Sequence, residues 1–211
     1  GVMVLHRNIA QFLDLCHDFF GISEGSRFAH HSDLTFDPSL FDLFYGWSRA
    51  GTIVPFNRSS YRINPMLFLR KSEINVWFSV PSAIAGIVES GGLADPALSS
   101  IKHLLLTGES VPGTLVRAWY DACPDATIYN VYGTTETAII SHWYRIPQDI
   151  DPDTPVPVGN LLPGFRARLM DGDQVVAPGA VGECIDYGPQ ISPGYWANEE
   201  ETNGRFIGDP I

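Results

Sequence analysis

The stretch NVYGTTETAII, Asn130 to Ile140, ends an apolar run in a turn where Gly133 is followed by Thr134, Thr135, Glu136 and Thr137. Hydroxyls and free backbone N–H groups beside a glycine turn can bind phosphate oxygens. A carboxylate in the same turn would repel phosphate unless a cation lies between them, and Mg²⁺ takes oxygen ligands from both. The turn therefore suits a magnesium nucleotide. The same residues also suit an ordinary helix start, with a Thr cap and an acid in the first turn, and on these residues alone both readings stand. Asp37, in LTFDPSLFDLF, is open in the same way. It can cap a helix that begins at Pro38, or it can pair with a substrate ammonium group in an otherwise apolar pocket. A third unusual loop, LLLTGES, carries Gly108, Glu109 and Ser110. His30 and His31 have no accompanying metal-ligand spacing and read as loop residues. Trp47 and Trp119 fall at helix-face spacing and read as core.

These loops need elements to hold them. HRNIAQFLDLCHDFFG places Ile9, Phe12, Leu13 and Cys16 on one helical face, closed by Gly21. SLFDLFYGWSRAG repeats the pattern with Leu40, Leu43, Phe44 and Trp47, ending at Gly51. NPMLFLRKSE, PSAIAGIVESGG and VPGTLVRAWYDACP read as further helices, the last with Val116, Trp119, Tyr120 and Cys123 on one face. Between them, SRFAHHSD, TIVPF, INVWFSV, IKHLLLTGES and ATIYNVYG contain short apolar runs, as strands do when a parallel sheet is covered on both faces. From PQDIDPDTPVPVGNLLPG the texture changes, and FRARLMD, GDQVVAP and GECIDYG read as strands joined by turns, without helices. The expected organisation is an α/β unit over residues 1–155 and a β-rich unit over residues 156–211. In an open parallel sheet, ligands sit beyond the carboxyl ends of the strands, and the three loops above lie at such ends.

Composition narrows the function. The formal net charge of −11 over 211 residues, with no Lys/Arg run, argues against a nucleic-acid partner. Cys16, Cys123 and Cys184 are widely spaced and form no CxxC pair, so they read as reduced core thiols of a cytoplasmic protein rather than a zinc site. No run of about 18 apolar residues and no signal-peptide pattern occurs, so no membrane partner is expected. At 45% hydrophobic residues a sizeable core is affordable.

Several motifs, in order along the whole chain, resemble one family. NVYGTTET resembles the Asn-x-Tyr-Gly-Pro-Thr-Glu segment of the adenylate-forming superfamily, which includes nonribosomal peptide synthetase adenylation domains, acyl-CoA synthetases and luciferases. LTFDPSLFDLF resembles the Phe-Asp-x-Ser motif of its amino-acid-activating branch. LLLTGES resembles the adenine loop, and GECIDYGPQISPGYW resembles the Gly-Glu-Leu-x-Ile-x-Gly…Gly-Tyr motif. GVMVLHRN looks like the segment after the family's phosphate loop, and GDPI precedes the position of its Tyr-Arg-Thr-Gly-Asp motif. The resemblance thus implies the middle of an adenylation domain: a flavodoxin-like parallel sheet flanked by helices, then part of a small β-barrel subdomain, with the remaining segments as partners.

The resemblance also implies residue roles. Asn130 and Tyr132 would hold adenine, with Gly108 and Glu109 lining its pocket. Gly133 and Thr135 would face ATP phosphates, and Glu136 would hold Mg²⁺. Asp37 would bind the substrate α-amino group. The substrate pocket would comprise Asp37, Pro38, Phe41, Ser79, Leu106, Gly108, Val131, Ile139 and Ile140. With no second charge in that set, a branched aliphatic amino acid is expected. The product, an aminoacyl-adenylate, would pass to the phosphopantetheine thiol of a carrier protein. Two departures stand out: Thr134 replaces the common Pro, and Pro38 replaces a usual small residue. An acyl-CoA or aryl-acid ligase, and a specificity module without catalysis, are the alternatives.

Overall fold

The structure, a computed structural model, describes residues 1–17 and 19–208. Asp18, within the first expected helix, and Asp209 to Ile211, within the GDPI segment, lie outside the described residues.

Seven strands form one sheet in the order β2-β1-β3-β4-β5-β6-β7. The first five are β1 (Arg27–His30), β2 (Thr52–Pro55), β3 (Val76–Ser79), β4 (His103–Leu106) and β5 (Thr127–Tyr132), and they run parallel. Their order, 2-1-3-4-5, is that of the flavodoxin-like doubly wound fold. β6 (His142–Arg145) and β7 (Asn160–Leu161) extend the sheet antiparallel. A second sheet, β10-β8-β9, is antiparallel and built from β8 (Arg166–Asp171), β9 (Gln174–Val175) and β10 (Glu183–Tyr187). The last strand of the large sheet therefore follows residue 155, and the small sheet begins at Arg166.

The parallel strands are apolar on both faces because both are covered. Trp77, Leu104, Leu106 and Ile128 pack under α5 (Pro65–Ser72), α6 (Pro81–Glu89) and α7 (Gly113–Ala122). Val76, Phe78, Leu105 and Val131 face the opposite cluster, with Phe12 and Cys16 of α1 (His6–Cys16) and with Phe41 and Tyr45. Each such fully buried large side chain contributes about 1.5–3 kcal/mol. Local signals set the helix starts: Pro65 and Pro81 occupy first turns, and Asn64 Oδ1 accepts from the Met66 N–H at 3.1 Å.

Four expectations need correcting. The first helix stops at Cys16, before Gly21. The segment after β1 divides into α2 (Pro38–Leu40), a π-helical turn (Phe41–Tyr45) and α3 (Gly46–Ser48). It buries Phe41 and Tyr45, leaving Trp47 58% and Phe44 41% exposed. The sequence holds two competing apolar faces there, and packing of Phe41 and Tyr45 on Phe12, Phe20 and Phe28 selects the one that the spacing reading passed over. Cys184 is exposed on β10, an edge strand of the small sheet, whereas Cys16 and Cys123 are buried. Finally, the β-rich part contains a helix. With α4 (Ser59–Ile63) in the first part, the last is α8 (Glu199–Arg205), whose Asn198 cap accepts from the Glu201 N–H at 3.2 Å.

Candidate functional site

A cavity of about 470 Å³ opens beyond the carboxyl ends of β1, β3, β4 and β5. It lies where the strand order reverses between β1 and β3, the topological switch point at which doubly wound folds bind ligands. Each strand end contributes: Asp37 and Pro38 after β1, Ser79 and Val80 at β3, Gly108 after β4, and Gly133 and Thr135 after β5, with Ile139 beside them. Phe36, Phe78 and Val80 supply further apolar wall, while exposed Asp33 and Arg62 stand among the lining residues too. The lining thus carries more charge than the expected residue set.

Asp37 is the half-buried carboxylate of this cavity. Burial pushes its carboxyl above the ordinary value. Hydrogen bonds from the Thr135 hydroxyl and the Ile139 amide act the other way, and the nearby Glu136 charge adds to the rise. The Ile139 N–H reaches Asp37 Oδ2 at 3.1 Å. Presenting that N–H requires unusual backbone: Ala138 and Ile139 both have positive φ, 54° and 82°. For a β-branched residue this is a genuine outlier, sustained where surrounding structure over-determines it.

That support comes from a residue the sequence reading assigned no role. Gln190, fully buried, donates from Nε2 to the carbonyls of Thr137, Ala138 and Ile140 at 3.1, 3.1 and 3.3 Å. Asn8, also fully buried, donates in turn to the Gln190 and Ile191 carbonyls at 3.0 and 3.2 Å. The Ser192 N–H donates to the Glu136 carbonyl at 2.8 Å. Segment 188–195, which follows β10, thus braces the loop that faces Asp37. A buried glutamine between two prolines was the available signal, but its partners are distant in sequence. Gly133 is fixed by packing as well: a Cβ there would lie 2.5 Å from the Ile139 carbonyl oxygen.

The opening turn folds as a single 3-10 turn, Thr135–Thr137, with the Thr137 hydroxyl accepting from the Thr134 N–H at 3.0 Å. Glu136 lines a second cavity of about 420 Å³, together with Tyr132, Thr134 and Tyr195. The Tyr195 phenol donates to Glu136 Oε1. Burial raises the Glu136 carboxyl, but hydrogen bonds from Tyr195, its own amide and the Thr134 hydroxyl, with the Arg205 charge, hold it below the ordinary value. It is therefore ionised at neutral pH. An ionised carboxylate at a cavity wall suits a hard divalent cation.

The remaining candidates are more recessed. Phe41, Val131 and Ile140 sit in the core on one face of the sheet and Leu106 on the other. None of the four lines the 470 Å³ cavity. Glu109 accepts from the Ser82 N–H and hydroxyl at 2.9 and 2.8 Å, so its side chain caps α6. Asn130 donates from Nδ2 to the Pro157 carbonyl at 2.8 Å, which leaves its carbonyl oxygen as an acceptor.

Residues 1–196 match the family described as AMP-binding enzyme. The chain is similar to the L-proline–[L-prolyl-carrier protein] ligase of Streptomyces coelicolor, 34% identical over 206 residues, covering 95% of this chain and 39% of that protein. It is also similar to the D-alanine–D-alanyl carrier protein ligase of Bacillus velezensis, 30% identical over 212 residues and covering 98% and 42% of the two chains. Among solved structures, it resembles IdnL7 with a TM-score of 0.89 at 30% identity, covering 100% of this chain and 43% of that one. It resembles the nonribosomal peptide synthetase FmoA3 with a TM-score of 0.89 at 25% identity, covering 100% and 23%. The chain thus spans well under half the length of these relatives. Among the described residues, no helix is long and apolar enough to cross a membrane.

Proposed function

Because the chain belongs to the AMP-binding enzyme family, we propose that it is the substrate-selecting part of an ATP-dependent, AMP-forming ligase that activates an α-amino acid. The observation that carries this reading is Asp37, a half-buried carboxylate beside apolar Pro38, Val80 and Ile139, whose hydrogen-bond donors are neutral N–H and O–H groups. A carboxylate so placed favours a cationic partner, and an α-ammonium supplies one. An acyl or aryl acid has no such group.

The two cavities share Thr134, which supports an amino acid in one and a nucleotide in the other. The substrate carboxylate then attacks the α-phosphorus of ATP, pyrophosphate leaves, and the aminoacyl-adenylate forms. Asn130 orients its free carbonyl oxygen toward the adenine amino group and Tyr132 lies against the ring. Gly108 and Glu109, whose side chain is held on α6, shape the adenine pocket. Gly133 allows close backbone approach, and Thr135 faces the phosphates while its hydroxyl stays on Asp37. Glu136 would hold Mg²⁺, which neutralises phosphate charge when bound. Catalysis by these groups is positioning and charge stabilisation. The adenylate passes to a carrier-protein phosphopantetheine thiol, a reading supported by similarity to carrier-protein ligases. Phe36, Pro38, Val80 and Ile139 favour a branched aliphatic side chain.

An amino-acid-dependent ATP–pyrophosphate exchange assay across the twenty amino acids tests this. Exchange supported by valine, leucine or isoleucine is the expected result. Exchange confined to aryl or fatty acids would replace the reading with an acyl or aryl ligase. Amino-acid binding without exchange would mean a specificity module without catalysis.

A further inference from the structure

Two strands that belong to different sheets bring together side chains far apart in the sequence. On β6, His142 is 6% exposed. On β10, Cys184 and Asp186 are two residues apart and therefore project to the same face. A ring nitrogen of His142, the Cys184 sulfur and an Asp186 carboxylate oxygen all lie within 4.8 Å of one another. The Cys184 Sγ to Asp186 Oδ1 distance is 3.6 Å. Ligand atoms of a tetrahedral zinc ion, bonded at about 2.0–2.3 Å, stand roughly 3.3–3.7 Å apart. Shifts of at most roughly 1–1.5 Å would close the set.

We propose that His142, Cys184 and Asp186 bind one divalent transition-metal ion of the zinc class, linking the large sheet to the small one. Three further features support the assignment. Thiolate, imidazole and carboxylate are the ligand types zinc takes, and three protein ligands leave a fourth position for water. Without the ion, the Cys184 thiol donates to Asp186 Oδ1; with it, thiolate and carboxylate together neutralise the ion. Ser141, fully buried, is the outer partner that such sites need. Its hydroxyl donates to Asp186 Oδ2 at 2.8 Å and lies 2.9 Å from His142 Nδ1. With that proton committed to Asp186, the hydroxyl accepts from Nδ1–H, and Nε2 keeps its lone pair. Cys184 and Asp186 line the 420 Å³ cavity, which gives the ion a path in. On binding, the Cys184 thiol proton leaves to solvent. This soft-ligand site is chemically distinct from the oxygen ligand that Glu136 offers to Mg²⁺, and it does not depend on the proposed ligase activity.

Titration of the metal-free chain with Co²⁺, read by absorption, tests the proposal with a probe that reports sulfur ligation. One equivalent should produce a thiolate-to-cobalt charge-transfer band that Zn²⁺ then displaces. Cys184→Ser, at an exposed position, should abolish the band. Ser141→Ala should weaken Zn²⁺ binding about 10–100-fold by releasing the outer contacts, and Asp186→Asn should weaken it at least as much. Absence of the band in the wild-type chain would overturn the proposal, and so would its persistence in Cys184→Ser. Circular dichroism of each variant separates loss of ligation from loss of fold.

Discussion

Asp37 faces a choice of partners at the residue scale, and its neighbours decide it. The Ile139 N–H and Thr135 hydroxyl hold the carboxylate without neutralising it, so the site retains its preference for a cation. Asp37→Ala should weaken binding of a branched aliphatic amino acid by about 3–5 kcal/mol, roughly a hundredfold to a few thousandfold, because an ammonium would remain buried without its partner. Isothermal titration measures this directly. Since burial raises the Asp37 carboxyl, amino-acid affinity should fall on acidification at a higher pH than an ordinary aspartate would give. Glu136 answers to a different probe. Glu136→Gln should remove the gain in nucleotide affinity that Mg²⁺ confers on the wild-type chain, with the Mg²⁺-free affinity little changed. The chemical character of these residues was legible in the sequence because each sits in a short contiguous motif. Gln190 and Asn8 were not, since their value lies in carbonyls contributed by remote segments.

At the scale of elements, the parallel strands and their helices were legible because continuous apolar runs and Pro or Asn starts are local signals. The α2–α3 segment was not. Its helical spacing admits two apolar faces, and the π-helical turn at Phe41–Tyr45 sets which one is buried. That turn also buries Asp42, whose Oδ2 lies 3.3 Å from His30 Nδ1 and whose Oδ1 has no hydrogen-bond partner. Burial raises the Asp42 carboxyl to about 7 from 3.8, despite the opposing His30 and His31 contacts. The folded state then holds more protons than the unfolded state between these values, so stability should decline as pH rises from about 4 to about 7. Urea unfolding at pH 5 and pH 8 should show that decline in the wild-type chain and a smaller one in Asp42→Asn. An equal decline in both would assign it to other groups.

Across the whole molecule, the small sheet serves the large one. The segment after β10 runs back over the Thr135–Ile140 loop, and the chain start joins it through the Met3 N–H to the Gly194 carbonyl at 2.9 Å. This coupling was illegible in the sequence. A texture change near residue 155 suggested two units, but no local pattern shows that one holds the other's binding loop. Gln190→Ala should therefore lower stability by about 2–3 kcal/mol, as buried carbonyls lose their donor. It should also weaken amino-acid binding, although Gln190 does not line the cavity. Unchanged affinity in a folded Gln190→Ala chain would deny the brace a role in the site. The central claim, that Asp37 selects an α-amino acid, is tested most directly by comparing the binding of L-isoleucine, L-leucine and L-valine with that of their deaminated acids. The account predicts that an amino acid binds, that its deaminated counterpart binds far more weakly, and that Asp37→Ala erases the difference. Equal binding of the two, or a preference for the deaminated acid that survives Asp37→Ala, would contradict it.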